Sequence, residues 1–411
     1  MAARPSSARR TVGVAFGGTS VEHDVSIISA LQLMAVLSER HDVVPLYLGS
    51  DGRWWTGEAL QSVSAFAQQP PSSATPIELR IGAPVPWVSP SRSRMRGERP
   101  LPVDVVINAI HGTSGEDGVL LAALQLAGLP YVGGGVTASA VAMDKYLAKL
   151  VVADAGVDVL PGLRIERHDW ETDRAGTLQR AITAFPGAVI VKPSTLGSSI
   201  GVTKCDDPAA IQDAIDLALE LDRQAILEPF ATGAIELNVA VVGRPGGELV
   251  VSEVERPLGS ADGLTFEDKY IANASGGKGG KSGKTATKHA AATHDGAKGG
   301  GPGTTDRIIP ADVSAELRER IQQTALQAHR ALRLAGVTRY DFFVLDDGAR
   351  IVLNEPNTVP GSFANYLFAA VGMAFPELAE RLLEIADGEF REEQSTSRQF
   401  TSSLLRLHID R

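Results

Sequence analysis

Apolar positions along the chain fall into short continuous runs closed by glycine-rich or polar turns, with stretches at helical spacing between them. Residues 11–16 form one such run, ending at Gly17-Gly18-Thr19-Ser20, and helical spacing follows over residues 21–39. A strand, a glycine turn and a helix in that order open a parallel α/β sheet, and the helix start attracts anions. Thr19-Ser20-Val21-Glu22 also spells a capping box, a purely structural use for Glu22. Residues 41–49 predict a second strand and 103–109 a buried third. The polar, glycine-containing stretch 110–118 then sits where open α/β sheets bind ligands. A helix over 120–127, ended by Gly128, and a short strand and turn over 131–135 complete this unit. The Pro-, Ser- and Arg-rich stretch 70–100 reads as surface loop, with room for one strand.

Helical spacing over residues 137–155 stops at Gly156 and carries Lys145 and Lys149 four apart, which by itself describes a solvated basic face. Residues 189–192 predict a strand running into the Gly/Ser loop 193–202, whose N–H groups and hydroxyls can fold over phosphates. A helix over 208–221, a strand edge over 225–230 and strands over 236–242 and 249–255 follow. A helix over 313–335, with Gly336 behind it, leads to two β runs, 340–345 and 351–353, joined by Asp346-Asp347-Gly348 as a hairpin. A last helix is predicted over 376–386, and the tail after Glu389 shows no pattern. Residues two apart on a strand share a face, so Arg339 goes with Asp341 and Glu355 with Asn357. One surface then offers two carboxylates, an amide and a guanidinium, a hard-oxygen set that suits Mg²⁺. An ordinary charged surface hairpin is the alternative from these residues alone.

Length and composition narrow the classes. The 411 residues suggest two or three domains, and 44% apolar content describes a soluble globular protein. A net charge of −10 argues against a nucleic-acid partner. The single cysteine, Cys205, excludes an internal disulfide and fits a reducing, cytoplasmic location. No run reaches the roughly 18 apolar residues of a membrane helix. The basic residues 1–10 lack a following apolar segment and read as a frayed leader. Residues 271–306 are almost wholly Gly, Ala, Lys, Thr and His, which predicts a mobile insert. Gly280-Lys281-Ser282 and Gly283-Lys284-Thr285 within it lack the upstream glycine and the strand that a phosphate-binding P-loop needs.

The order of motifs says more than any one of them. Gly17-Gly18-Thr19-Ser20-x-Glu22, His111-Gly112-x-x-Gly115-Glu116-Asp117-Gly118 and Met143-Asp144-Lys145 come first. Lys192-Pro193 with Gly197-Ser198-Ser199-x-Gly201, Glu267-x-Lys269-Tyr270, Arg339-x-Asp341 and Asn354-Glu355-x-Asn357-Thr358-x-Pro360-Gly361 follow. Together they resemble the D-alanine–D-alanine ligase family of the ATP-grasp superfamily over residues 12–386. The resemblance implies an α/β fold of three domains: 1–135, 136–230, and 231–395 with a lid insert at 271–306, then a tail 396–411. It implies ATP held between the second and third, two Mg²⁺ (or Mn²⁺), D-amino-acid substrates, a homodimer, and a role in peptidoglycan synthesis.

Roles for single residues come from the same resemblance. Lys145, Lys192, Ser198, Ser199 and Lys269 would contact the nucleotide phosphates, while Glu228, Glu236 and Phe343 would hold its adenine and ribose. Asp341, Glu355 and Asn357 would carry the metal ions. Arg339 and the Gly361 N–H would stabilise the oxyanion of the tetrahedral intermediate. Glu22 would bind the first substrate's ammonium with His111 near its carboxylate, and Glu22, Ser198 and Tyr270 would form one hydrogen-bonded set. Tyr270 also favours an amine over a hydroxy acid as second substrate. The chain departs from the family after Gly361, reading Ser362-Phe363-Ala364-Asn365-Tyr366-Leu367, so Tyr366 or Asn365 would meet the second substrate. A carboxylate–amine ligase of other specificity and a catalytically inactive nucleotide-binding regulator are the rival readings.

Overall fold

A computed structural model describes residues 9–67, 71–90, 98–258 and 307–396. Lys269, Tyr270, the 271–306 stretch, the start 1–8 and the tail from 397 lie outside the described residues.

Three sheets carry the fold. The first joins β1 (Thr11–Gly17), β2 (Asp42–Leu48), β3 (Trp54–Thr56), β4 (Thr75–Leu79), β5 (Trp87–Ser89), β6 (Arg99–Pro100), β7 (Val105–Asn108) and β8 (Tyr131–Val132). Its order is β6-β5-β4-β3-β2-β1-β7-β8, with β2, β1, β7 and β8 parallel and β3 to β6 antiparallel. The 70–100 stretch, expected as loop, thus extends the sheet. Its strands are too short for periodicity to show, and Trp87, fully buried against Trp54 at 5.2 Å between ring centres, anchors them. The helices α1 (His23–Leu37) and α2 (Val119–Leu126) pack beside the parallel strands. Every residue of β1 after Thr11 is buried, as a strand covered on both faces must be.

The single helix expected over 137–155 is two, α3 (Val136–Met143) and α4 (Lys145–Asp154). The break is Asp144, whose extended backbone and carboxylate cap α4, accepting from the N–H groups of Tyr146 (2.9 Å) and Leu147 (3.0 Å). The second sheet, antiparallel in the order β11-β10-β12-β9, comprises β9 (Leu163–Glu166), β10 (Val189–Pro193), β11 (Thr203–Cys205) and β12 (Gln224–Pro229). α5 (Arg167–Thr172), α6 (Arg174–Ala184) and α7 (Pro208–Leu221) accompany it, closing a core that includes Ile165, Trp170, Val191, Ile215 and Leu227.

The third sheet has the order β15-β14-β13-β16-β17, from β13 (Ile235–Gly243), β14 (Val250–Pro257), β15 (Arg307–Ile308), β16 (Gly336–Leu345) and β17 (Arg350–Asn357). Alternation divides its faces. Leu237, Val239, Val241, Tyr340 and Phe342 share a core with Ile321, Ala325 and Ala328 of α8 (Ala315–Leu332), so Asn238, Arg339 and Asp341 fall on the opposite face. The α8 helix ends before residue 335 because Arg333 turns left-handed (φ 53°), and Gly336 opens β16 instead of stopping the helix. After α9 (Asn365–Ala369), the final helix α10 (Phe375–Ser395) runs nine residues past the end expected at 386. Its Leu378, Leu382, Leu383 and Ile385 join the core of β1 and α1. Arg10–Asp387 (2.9 Å) and His41–Glu380 (3.1 Å) fasten it to the first sheet.

Candidate active site

The hairpin β16–β17 pairs Arg339 with Asn357 and Asp341 with Glu355, so all four sit together on one face as the alternation predicts. The register shifts between Asp341 and Phe342, leaving Asn354 as the extra residue of a bulge. A bulge re-aims side chains, and Asn354 Oδ1 accepts from Lys192 Nζ at 3.3 Å. Arg339 clasps Asp341 through both carboxylate oxygens at 2.7 Å each, and Asn357 Nδ2 donates to the same carboxylate at 3.1 Å. Burial works against the Arg339 charge, but Asp341 outweighs it and lifts the pKa above the usual guanidinium value, so the group is charged. The row extends sideways: Asp341 lies opposite Asn238 on β13, and Asn238 opposite Glu255 on β14.

Two lysines meet this hairpin, and a third lies behind them. Lys145, the first residue of α4, donates to the Leu196 carbonyl at 2.6 Å and pairs with Glu355 at 3.3 Å. Lys192 on β10 pairs with Glu228 at 2.8 Å, and Lys149 with the same carboxylate at 2.9 Å. Lys149 is 5% exposed, which corrects the solvated basic face: one helical turn after Lys145 it points inward, toward β12. Burial pushes Glu228 up and the two ammonium groups pull it further down, to a net position below the usual carboxylate value. Lys149 is lowered by burial, against the pull of Glu228. Glu228 therefore lies beneath the lysines and neutralises them.

The N-terminal wall is built around Glu22. The capping box does not form: the Glu22 N–H donates to Ser20 Oγ (3.1 Å), and no side chain caps α1. The Glu22 carboxylate, 6% exposed, instead accepts a hydrogen bond from Ser198 in the loop after β10. Two glycines allow this approach. A Cβ on Gly112 (φ 72°) would stand 2.7 Å from Glu22 Oε2, and one on Gly197 2.9 Å from it. His111 Nε2 lies 3.2 Å from Ser29 Oγ, and burial, then Arg339, push the imidazole down to about 4, so it is neutral. Glu116 accepts from the N–H groups of Gly112 and Val359, both at 2.9 Å, tying the 110–118 loop to the segment after β17. Burial, then the Glu22 carboxylate, push it up to about 7.

Past Pro360 the chain makes a turn in which Ser362, Phe363 and Ala364 are all left-handed, with φ of 51°, 55° and 50°. Each such non-glycine residue costs about 1–2 kcal/mol. Burial of all three and the bond from Ser362 N–H to Ser29 Oγ (3.0 Å) hold the turn against that strain. Gly361 begins it, and Tyr366 follows, donating its hydroxyl to Glu255 at 2.9 Å.

Glu236 and Phe343 sit opposite each other near the far end of the sheet, both half-buried. Ser198 and Ser199 are left-handed residues of the 194–201 loop. Lys269 and Tyr270 fall outside the described residues. Sequence reasoning passed over Ser29, Glu116, Lys149, Asn354 and Glu255. Glu116 and Asn354 stood in the sequence motifs and Lys149 in the Lys145–Lys149 spacing, each without a role, while nothing local marked Ser29 or Glu255.

Among the described residues no three His, Cys, Asp or Glu side chains could hold a metal ion unaided. Two carboxylates and an amide oxygen that leave the rest of the shell to phosphate oxygens and water nevertheless fit a divalent ion such as Mg²⁺. The arrangement can gather several phosphate charges between lysines and oxygen ligands and keep a charged guanidinium beside them.

Comparison with known proteins gives two family matches: "D-ala D-ala ligase N-terminus" over residues 11–134 and "D-ala D-ala ligase C-terminus" over residues 151–290 and 294–384. A D-alanine–D-alanine ligase from Chlorobium phaeovibrioides is 33% identical, covering 92% of this chain and 96% of that protein. One from Geobacillus kaustophilus is 32% identical, covering 95% and 98%. Among solved structures, the D-alanine-D-alanine ligase from Coxiella burnetii matches with a TM-score of 0.73 at 26% identity, covering 94% of this chain and 96% of that one. The VanG D-Ala:D-Ser ligase from Enterococcus faecalis matches with a TM-score of 0.70 at 27% identity, covering 92% and 99%.

Proposed function

The chain belongs to the D-alanine–D-alanine ligase family, and we propose how its site carries the reaction. It is an ATP-dependent ligase that joins two D-alanines for peptidoglycan synthesis. One D-alanine carboxylate takes the γ-phosphoryl group of ATP, forming an acyl phosphate and ADP. The amine of the second attacks the acyl carbon, phosphate leaves, and the ammonium gives up its proton. Lys145 and Lys192 hold the nucleotide phosphates, with the loop carrying Ser198 and Ser199 above them, and Glu236 and Phe343 lie toward the nucleoside. Glu228 keeps the ammonium groups aligned from beneath. Asp341, Glu355 and Asn357 would hold divalent ions, two in this reading, which when bound supply charge neutralisation at the phosphate oxygens. Glu22 binds the first ammonium, neutral His111 lies near its carboxylate, and Arg339 with the Gly361 N–H faces the developing oxyanion.

The carrying observation is that lysines from α4 and β10 reach the last hairpin, Lys145 to Glu355 and Lys192 to Asn354, each at 3.3 Å. Lysines of α4 and of the second sheet thus meet oxygen-bearing side chains of the third, as phosphoryl transfer requires. We keep the units 1–135, 136–230 and 231–395 as a proposal, with Ala142, Ala148 and Val152 of α3 and α4 packed into the core of the third sheet. We read the location as cytoplasmic because the reaction consumes ATP; no helix among the described residues is long and apolar enough to cross a membrane. Phosphate release from ATP that depends on D-alanine, with the dipeptide found by mass, tests the reading. ATP binding without turnover, or turnover that needs a different amino acid, overturns it.

A further inference from the structure

Glu255 is a buried carboxylate, 3% exposed, that the reaction as described does not use. Among the described residues it accepts from groups on three elements: Asn238 Nδ2 on β13 at 3.2 Å, the Tyr366 hydroxyl on α9 at 2.9 Å, and Arg307 Nη1 on β15 at 3.3 Å. The Arg307 guanidinium also lies over the Tyr366 ring, 4.3 Å from its centre. A carboxylate that engages a guanidinium and a phenol, which also stack on each other, fixes both in one orientation.

The place of this cluster gives it a use. Along the sheet face, Glu355 pairs with Lys145, on the side that the proposed reading gives to the nucleotide phosphates. Asp341, held by Arg339, lies opposite Asn238 and Asn238 opposite Glu255, so one face runs from Arg339 to the Glu255–Tyr366 cluster. An amine attacking the acyl carbon beside Arg339 must approach from a side the phosphates do not fill, and the Tyr366 wall is that side. The attacking amino acid brings a carboxylate that needs a cation. Arg339 is engaged by Asp341 through both oxygens, and Arg307, paired with Glu255 at 3.3 Å, is a second guanidinium of this wall among the described residues.

We propose that Arg307, positioned by Glu255 and stacked on Tyr366, recognises the carboxylate of the second amino acid, and that the Tyr366 ring limits its side chain to a small group. The proposal rests on the ligase reading and deepens it: the acceptor is a small D-amino acid selected for its free carboxylate. Arg307 is the binding residue, Glu255 a positioning residue, and Tyr366 the steric wall. The Tyr366 hydroxyl serves Glu255, so the departure from the family after Gly361 moves carboxylate recognition from that segment onto β15.

The test is one mixed reaction containing ATP, D-alanine and D-alaninamide. The amide has no free carboxylate and serves only as acceptor, so the ratio of D-alanyl-D-alanine to D-alanyl-D-alaninamide, read by mass, reports the acceptor site alone. The unaltered enzyme is expected to favour the dipeptide by about 100-fold or more. Arg307→Ala should bring the ratio within about tenfold of unity, Arg307→Lys should restore part of it, and Glu255→Gln should fall between. A role confined to fold stability would lower both products together and leave the ratio alone. An unchanged ratio in Arg307→Ala, with both products still formed, overturns the proposal while the ligase reading stands. Absence of dipeptide from the unaltered enzyme removes the ligase reading and this proposal with it.

Discussion

Lys192 sits between Glu228 and Asn354, 2.8 Å from one and 3.3 Å from the other, so a single ammonium joins the second sheet to the bulge of β17. It thereby stands where the two nucleotide-binding walls come together. A hydrogen bond to a charged group contributes about 1.5–3 kcal/mol, roughly 10- to 150-fold in affinity. Lys192→Ala should weaken ATP binding by that factor, measured by calorimetry or by the ATP dependence of phosphate release. Unchanged ATP affinity would remove Lys192 from the phosphate site.

Arg339 has a different signature. It lies on the face of β16 that carries Asp341 and is held there by that carboxylate, with no lysine among its partners in the described residues. Arg339→Ala should lower turnover by about 10²- to 10³-fold, the usual cost of one oxyanion donor. ATP affinity should stay within about threefold. Normal turnover in the variant would refute the assigned role.

Glu228 is 2% exposed and accepts two ammonium groups. Removing one partner from a buried ion set leaves uncompensated charge and costs about 3–5 kcal/mol. Glu228→Gln should therefore lower unfolding free energy by that amount in urea titration, before any effect on catalysis is considered. A loss below about 1 kcal/mol would mean that the lysines do not need this carboxylate.

The hairpin and its face were legible because a period of two is unambiguous once the Asp-Gly turn is seen, and Arg339, Asp341, Glu355 and Asn357 pair as the alternation requires. The bulge at Asn354 was not, since an extra residue leaves no mark in hydrophobic spacing. The break between α3 and α4 hid for another reason: Asp144 is polar and short, and the apolar spacing runs across it unbroken. The left-handed turn at Ser362, Phe363 and Ala364 contains no glycine to announce it, and only tertiary packing sustains it. Glu22 was legible in two ways at once, as cap and as ligand. The choice between them came from Ser198 on a distant loop, which no local pattern could supply.

The pH dependence of folding follows from three buried groups. Burial lowers His111 and His329 from 6.5 to about 4, so each contributes stability that is complete above 6.5 and lost as pH falls toward 4. Burial and Glu22 raise Glu116 from 4.5 to about 7, so its contribution is complete below 4.5 and lost as pH rises through 7. Between 4.5 and 6.5 the unfolded chain gains two protons at the histidines, while the folded chain keeps one at Glu116. The net is one proton toward the unfolded state, and stability should rise with pH by about 1.4 kcal/mol per unit from these groups. Above 6.5 only Glu116 remains active, with opposite sign, which puts the maximum for this set between 6.5 and 7. His329 bonds Tyr340 inside the α8 core, away from the catalytic groups, so it can be altered alone. His329→Asn, whatever its offset in absolute stability, should flatten the slope between 4.5 and 6.5 by about 1.4 kcal/mol per pH unit. Urea unfolding of both proteins at pH 5 and 6.5 measures that difference, and parallel slopes would show that His329 is not held neutral by the fold.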